Sequence, residues 1–530
     1  LSLFRDRLLA SEFGASSTLD IYYTAFRIPD FIYTLSLFFA ASTALIPILL
    51  EKFSTDEKKA EEFFGNVFSL FGFGTIILVI VAYFAIPSLM PYFAPGFSGG
   101  EQLHIIQLSR ILLLSPLFLG LSNLISSVIQ SFKRFYVYAA SPLFYDLGII
   151  IGILFFLPRC GLAGIVWGVV LGAVLHLAIQ LPTVFSLGFS LQPRFPKISV
   201  DVIRSMKLSF PRTLGLSLNQ LVLSIITAMA STLGSGAVSV FNFALNLQSV
   251  PLSVIGLSYS VSAFPTLAAS YAKNNMIEFL DHFSLALRHI FFWSLPATIL
   301  FIVLRAQIVR TVLGAGAFSW VDTRLTAAAL LLLALSILSQ GLLMLYIRAF
   351  YASGHTYLPV GINLVASLFT IFSAWRMLDL FKNSDYFREL FLSILKVSDI
   401  SASGVLIIPL AISLGSIVNL LLLILYFKRS FMLREVTPGI GSSLRDSFLA
   451  SIVLGFVTYY SLQIFASIFD LNTFVGIFLQ GLFSGILGIA SGSVILLGLK
   501  NQEFGEFYDA FKDKVWKKLF VVTTEPEKLP

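Results

Sequence analysis

The stretch Leu1–Leu50 reads LSLFRDRLLASEFGASSTLDIYYTAFRIPDFIYTLSLFFAASTALIPILL, and its reading decides the fold. Most of it is apolar enough for lipid, yet Arg5, Asp6, Arg7, Asp20, Arg27 and Asp30 interrupt it. A charge at the centre of a bilayer costs at least ~2.5–3.5 kcal/mol, so such side chains face a protein interior or a watery cavity. Several ionisable groups in one hairpin of membrane helices therefore point to a polar chamber inside a membrane bundle. A second reading places Arg5–Arg7 and Arg27–Asp30 at helix ends, among lipid headgroups.

The rest of the chain agrees with a membrane setting. Charged residues make up 12% of it, about half the ~25% usual for soluble domains, and hydrophobic residues reach 57%. Apolar runs long enough to span recur throughout, which predicts an all-α, polytopic membrane protein of about fourteen transmembrane helices. A β-barrel would show short alternating segments instead. The net charge of +7 is read through membrane topology and not as a nucleic-acid footprint. The single cysteine, Cys160, excludes an internal disulfide and a cysteine-based metal cluster. HExxH and Walker patterns are absent, and no His, Cys or carboxylate groups cluster at ligand spacing, so neither an enzyme nor a resident metal or cofactor is expected. The chain begins with Leu and enters an apolar pattern at once, so the start of the first helix is expected to be missing.

The expected order is a truncated helix 1 ending near Phe13, helix 2 from Asp20 to Leu50, and helices 3 to 6 up to Phe185. Helix 7 starts at Leu208 and helix 12 ends at Phe427, with helix 13 from Ser447 and helix 14 from Phe474. Lys382–Ser403 mixes Tyr386, Phe387, Leu390, Phe391, Ile394 and Leu395 with charges, as an amphipathic helix on a membrane surface would. Lys and Arg gather in the loops after even-numbered helices and in the tail, which puts both ends of the chain in the cytoplasm.

Landmarks repeat six helices apart. Ala10-Ser11-Glu12-Phe13-Gly14 precedes Pro29 and Pro47, and Ala230-Ser231-Thr232-Leu233-Gly234 precedes Pro251 and Pro265. Arg134-Phe135-Tyr136 before Pro142 is matched by Ala349-Phe350-Tyr351 before Pro359. Two parallel six-helix repeats are a transporter pattern, with the cargo site between them. The predicted division is an N-terminal lobe at 1–190, a basic cytoplasmic linker at 191–207 and a C-terminal lobe at 208–430. Two extra helices follow at 431–500, then a cytoplasmic tail at 501–530. Asn219, Gln220, Asn242, Asn246 and Gln248 make the second lobe polar but neutral, so cargo contacts should lie mainly on the first. Asp146, His176 and the Arg376/Asp379 pair are read as satisfied interior groups or interfacial anchors, or else as ion-coupling sites.

The run FRDRLLASEFGAS, LDIYYTAFRIPDF and FFAASTALIPILLEKF, with APGF at Ala94–Phe97, resembles the MurJ (MviN) lipid II flippase family of the multidrug/oligosaccharidyl-lipid/polysaccharide exporter superfamily. The likeness continues through Gln180-Leu181-Pro182, Gly234-Ser235-Gly236, Arg288 ahead of Pro296, and Phe350-Tyr351. It implies a bacterial cytoplasmic-membrane transporter that moves an undecaprenyl-diphosphate-linked glycan, the peptidoglycan precursor, to the outer leaflet by alternating access. Membrane lipids, and proteins of cell-wall synthesis, would be its other partners. The family's Arg-Asp pair maps onto Arg5 and Asp6, its Gly-Ala…Asp turn onto Gly14, Ala15 and Asp20, and its basic residue before Ile/Leu-Pro onto Arg27. The chain departs from the family at Tyr33-Thr34, Phe38-Phe39 and Leu245-Asn246, where arginine, Glu-Gly and Asp-Arg are usual.

Arginine suits a diphosphate because its planar fork binds phosphate oxygens in pairs and stays charged. The expected cargo contacts are Arg5 and Arg27 on the diphosphate, with Asp6 and Asp20 orienting them and Asn246 and Gln220 facing the same chamber. The alternative is that Arg5–Asp20 or Arg7–Asp6 merely lock helices 1 and 2 together. Coupling to the membrane potential, worth ~2.3 kcal/mol per charge per 100 mV, or to a monovalent ion would drive the anion outward. Helices 13 and 14 would form a groove for the lipid tail, as in the family. The series Gly481, Gly485, Gly488, Gly492 reads as close helix packing. Export of another polyprenyl-linked glycan, or a non-transporting scaffold for cell-wall synthesis, are the competing functions.

Overall fold

The structure is a computed structural model that describes residues 1–40, 49, 51–53, 55–132, 134–189, 199–431 and 439–512. Residues 41–48 and 50 of expected helix 2, residues 191–198 of the predicted linker at 191–207 and residues 513–530 of the predicted tail lie outside the described residues, and the rest of that linker is helical from Val200. The described residues contain helices and no strands. The first half holds α1 (Ser2–Phe13), α2 (Ser17–Ala25), α3 (Arg27–Ala40), α4 (Glu57–Phe93), α5 (Gly99–Leu112), α6 (Leu114–Ser131), α7 (Phe135–Ile151), α8 (Leu162–Ala178) and α9 (Leu181–Ser186). Next come α10 (Val200–Ser231), α11 (Ala237–Pro251), α12 (Ser258–Ala272), α13 (Met276–Val303), α14 (Arg305–Leu313), α15 (Trp320–Ala334) and α16 (Ile337–Ala352). The chain goes on through α17 (Tyr357–Asn383), α18 (Asp385–Leu395), α19 (Ile407–Ser430), α20 (Ile440–Ala466), α21 (Phe474–Gly498) and α22 (Gln502–Phe511).

Local chemistry explains the boundaries. Ser98 caps α5 with its Glu101 partner in a reciprocal box, and Asp56, Asn275, Thr473 and Asn501 each accept a backbone N–H at the start of their helices. Gly14, at φ +60°, ends α1 in a conformation that costs an L side chain energy. Proline does not always stop a helix here: Pro87 and Pro91 lie inside α4. Wide π-type turns follow α7 at Gly152–Phe156 and α11 at Leu252–Leu257, the second beginning directly after Pro251.

The polarity of these helices is inside out. Ser122, Ser126 and Ser127 on α6 are buried, whereas Ile77 and Phe84 on α4 are 61% and 73% exposed. Such apolar belts are stable only in lipid. Many of the buried hydroxyls return a hydrogen bond to their own helix, as Thr458 does to the Leu454 carbonyl. Among the described residues, eleven helices are long and apolar enough to cross a membrane, or twelve if α15 and α16 make one broken span. Expected helices 1 and 2 are helical but do not meet that test. The first is the twelve-residue α1, and the second breaks at Phe26 between α2 and α3 and leaves the described residues after Ala40.

Contacts divide the chain into two compact units. One comprises Leu1–Leu247, Val312–Leu333 and Thr356–Asn419; the other comprises Gln248–Thr311, Ala334–His355 and Leu420–Pro530. In the first, α7 and α8 meet through glycine. A Cβ added at Gly152 would stand 2.7 Å from the Gly168 Cα. In the second, α20 and α21 pack closely, with Gly488 against Thr458 and Gly492 against Leu454, as the glycine series suggested. Overpacking a close contact costs roughly 1–3 kcal/mol. Gly152→Leu should therefore lower the Tm of the detergent-purified protein by several degrees, and an unchanged melting curve would contradict the α7–α8 packing.

Candidate functional site

The charges of the opening stretch lie on α1, α2 and α3 of the first unit and meet partners on α7 and α11. Arg5 donates from Nε and Nη2 to Asp6 Oδ1 at 3.0 and 2.8 Å, and from Nη1 to Asp146 Oδ1 at 2.9 Å. Asp6 is buried, and its other oxygen accepts from Asn246 Nδ2 at 2.9 Å. One cation is thus shared by two carboxylates. Sequence reasoning gave Asp146 only a minor place; an acid in the otherwise apolar α7 was the available signal.

Arg27 is in a different situation. It opens α3 at the break after Phe26, is 4% exposed, and donates from Nη2 to Asn242 Oδ1 at 2.7 Å. Its Nε has no hydrogen-bond partner. Among the described residues no carboxylate lies within 4 Å of this guanidinium. Asn242 is itself fixed, because its Nδ2 donates to the Val238 carbonyl at 2.7 Å. A buried cation whose direct partner is a neutral amide, with the nearest carboxylate, Asp30, acting on it only from beyond 4 Å, is costly. Aromatic rings pack nearby on the same elements, with Tyr23 edge-on to Tyr22 at 5.5 Å and to Phe243 at 6.0 Å.

Asp20 does not orient an arginine. Its Oδ2 accepts from the Gly236 N–H at 2.7 Å, and its Oδ1 accepts from the Ser239 N–H at 2.7 Å and the Ser239 hydroxyl at 2.6 Å. It therefore caps the N-terminus of α11 from α2, where the free N–H groups and the helix dipole both favour a carboxylate. The turns around it are tight. A Cβ on Gly14 would come within 2.7 Å of the Ala317 carbonyl oxygen, and the Ala317 N–H donates to the Ser11 carbonyl at 2.8 Å. Neither Arg5–Asp20 nor Arg7–Asp6 pairing occurs; Arg7 donates to the Val312 carbonyl at 3.4 Å.

The remaining expected residues separate. Gln220 lies on α10, and its Nε2 is buried without a hydrogen-bond partner; no hydrogen bond links it to Arg5 or Arg27. Asn219 accepts from Asn363 Nδ2 at 2.9 Å, and Asn363 accepts from Asn419 at 3.1 Å. His176 is absorbed into a polar cluster in which its Nδ1 lies 2.6 Å from the Ser122 hydroxyl, with Gln180 and Ser126 completing the set. Arg376 and Asp379 form an exposed ion pair. Among the described residues no group of three or more His, Cys, Asp or Glu side chains could hold a metal ion.

The second unit carries an apolar groove of about 490 Å³. Val254 and Ile255 of the π turn, Phe292 and Leu300 of α13, Leu454 of α20 and Ile489 of α21 line it. No charged side chain does.

Comparison with known proteins places this architecture. Residues 9–480 match the family model described as lipid II flippase MurJ. The chain is 30% identical over 376 residues to the probable lipid II flippase MurJ of Buchnera aphidicola subsp. Acyrthosiphon pisum, covering 70% of this chain and 73% of that one. Against the lipid II flippase MurJ of Burkholderia cenocepacia the identity is 26% over 374 residues, 68% of this chain and 72% of the relative. In fold, the chain is similar to a solved lipid II flippase MurJ in an inward closed conformation, with a TM-score of 0.72 and 22% identity over 94% of this chain and 97% of that one. A multidrug resistance MATE family transporter of the MOP superfamily, solved inward-facing, gives a TM-score of 0.63 at 14% identity, over 82% of this chain and 95% of that one. A family model that matches nearly the whole described membrane region, carried on a polytopic helical bundle, leads to one conclusion: the chain belongs to the MurJ lipid II flippase family.

Proposed function

We propose that the protein carries lipid II, the undecaprenyl-diphosphate-linked peptidoglycan precursor, from the inner to the outer leaflet of the bacterial cytoplasmic membrane by alternating access. It acts as a transporter and not as a catalyst, with both ends of the chain in the cytoplasm. The observation that carries this reading is Arg27: a buried guanidinium with an idle Nε and, among the described residues, no carboxylate within 4 Å. A charge left in that state is relieved by an anion, and a diphosphate offers the paired oxygens that its fork fits.

Arg5 enters second. Its donors are already committed to Asp6 and Asp146, so it can serve the cargo only by exchanging a carboxylate for a phosphate oxygen. Such exchange keeps the headgroup from being held too tightly to leave. Asn246, on the far oxygen of Asp6, holds that carboxylate in place during the exchange. Asp20 and Gln220 contribute to shape: Asp20 holds α2 to α11, and Gln220 leaves a polar donor for a sugar or peptide group. The apolar groove of the second unit takes the polyprenyl tail, whose isoprene units need a wall without charge.

Arg27→Ala removes a charge-assisted contact worth ~1.5–3 kcal/mol, so binding of a soluble short-chain lipid II analogue should weaken by about 10- to 100-fold. Calorimetry on the purified protein measures it, and an unchanged Kd would overturn the assignment of Arg27. Asp20→Ala should instead cost about 0.5–2 kcal/mol of stability, the usual loss for a helix cap, and leave the affinity of the folded fraction within about twofold. Melting curves run beside the same titration separate the two roles. At the level of the cell, the gene should restore growth to a bacterium depleted of its lipid II flippase. Normal membrane insertion without rescue would end the lipid II reading.

A further inference from the structure

Beyond α21 the chain does not leave the bundle at once. Asn501 caps α22 by accepting from the Phe504 N–H at 2.9 Å, and the helix folds back along α13. Its Glu503, Phe504, Glu506 and Phe507 occupy one face, at spacings of three and four residues. Opposite them on α13 stand Arg288, His289, Phe292 and Trp293, in the same rhythm. Phe507 meets Trp293 edge-on at 5.1 Å, and Phe504 packs on the cluster of Phe292, Ala450 and Leu496.

Polar contacts flank those rings. Arg288 Nη1 donates to Gln502 Oε1 at 3.1 Å, and Arg288 Nε lies 3.3 Å from Glu503 Oε1. Glu503 is 2% exposed, yet neither that oxygen nor Arg288 Nε completes a hydrogen bond. His289 Nε2 lies 3.3 Å from Glu506 Oε2, while its ring stacks on Tyr259 at 5.4 Å. Trp293 Nε1 in turn donates to the Tyr259 hydroxyl at 2.9 Å. An ion pair buried with imperfect geometry returns little of its desolvation cost, so it holds a contact without fixing it. The rings that α22 brings to α13, Phe504 and Phe507, line the apolar groove together with Tyr259 and Trp293.

We propose that α22 is a latch on the apolar groove: clasped to α13 through Arg288–Glu503 and His289–Glu506, it closes one end of the groove with Phe504 and Phe507, and its release admits or frees a hydrocarbon chain. This rests on the reading of the groove as a lipid-tail site. A latch built from two loosely met polar contacts and two ring contacts opens at small cost, as a gate on a reversible passenger must.

The test uses the full chain with Cys160→Ser, His289→Cys and Glu506→Cys, reconstituted in phosphatidylethanolamine/phosphatidylglycerol vesicles that contain a phospholipid with a diazirine at its acyl terminus. A short cleavable bis-maleimide ties α22 to α13. Photolabelling of groove residues, read by peptide mass spectrometry, should fall at least about fivefold in the tied protein and return on cleavage. In the untied chain, Glu506→Ala with Phe507→Ala should raise labelling instead. Equal labelling of tied and cleaved protein overturns the latch. Ala297→Trp, which fills the groove, tests the underlying reading: if it labels as strongly as its parent, the groove holds no acyl chain and both ideas fall. Equal elution volumes and Tm values for all variants show that each comparison is between folded proteins.

Discussion

A guanidinium inside a membrane bundle has to be answered by something, and the first unit answers the half-buried Arg5 and the buried Arg27 differently. Arg5 receives Asp6 and Asp146, while Arg27 receives only the amide of Asn242. In a low-dielectric interior the first arrangement is nearly self-contained and the second is not. The difference follows from position. Arg5 lies on a regular helix beside its own acidic neighbour, whereas Arg27 opens α3 at a break, with Asp30 one turn further along. The unsatisfied site is therefore created by backbone geometry as much as by charge.

That geometry is held by the turns. Asp20 ties the start of α11 to α2, and Gly14 ends α1 so close to Ala317 that a methyl group would not fit. Each contact satisfies backbone groups that would otherwise be stranded without water. The carboxylate of Asp20 thus serves the scaffold, and the cost of burying it is met by three donors at 2.6–2.7 Å. Capping of one helix by a residue from another couples their positions, so a shift of α2 is felt by α11 and by its Asn242 and Asn246.

The second unit is built on different physics. Apolar side chains facing a groove, and glycine contacts between α20 and α21, replace charge as the organising element. Where α22 returns to α13, ionisable side chains meet at the edge of that apolar surface. A diphosphate head and a prenyl tail call for such a separation, since no single environment solvates both.

Helix type and membrane setting were legible in the residues, because apolar runs and the scarcity of charge admit few other structures. The glycine series of α21 was equally readable, as was the departure from lipid-like character in the first fifty residues. Partner choice was not. Arg5 could have met Asp20, Arg7 could have met Asp6, and nothing local to α7 assigned Asp146 to Arg5. Ion pairs between elements far apart in the chain depend on which helix faces close, and hydropathy is blind to that. The sequence by itself determined that the protein is a polytopic helical bundle with charges it must hide. Only the tertiary structure decided which charges meet a carboxylate, as Arg5 does, and which meet a neutral amide, as Arg27 does, because burial and pairing are properties of packed neighbours and not of residues in order.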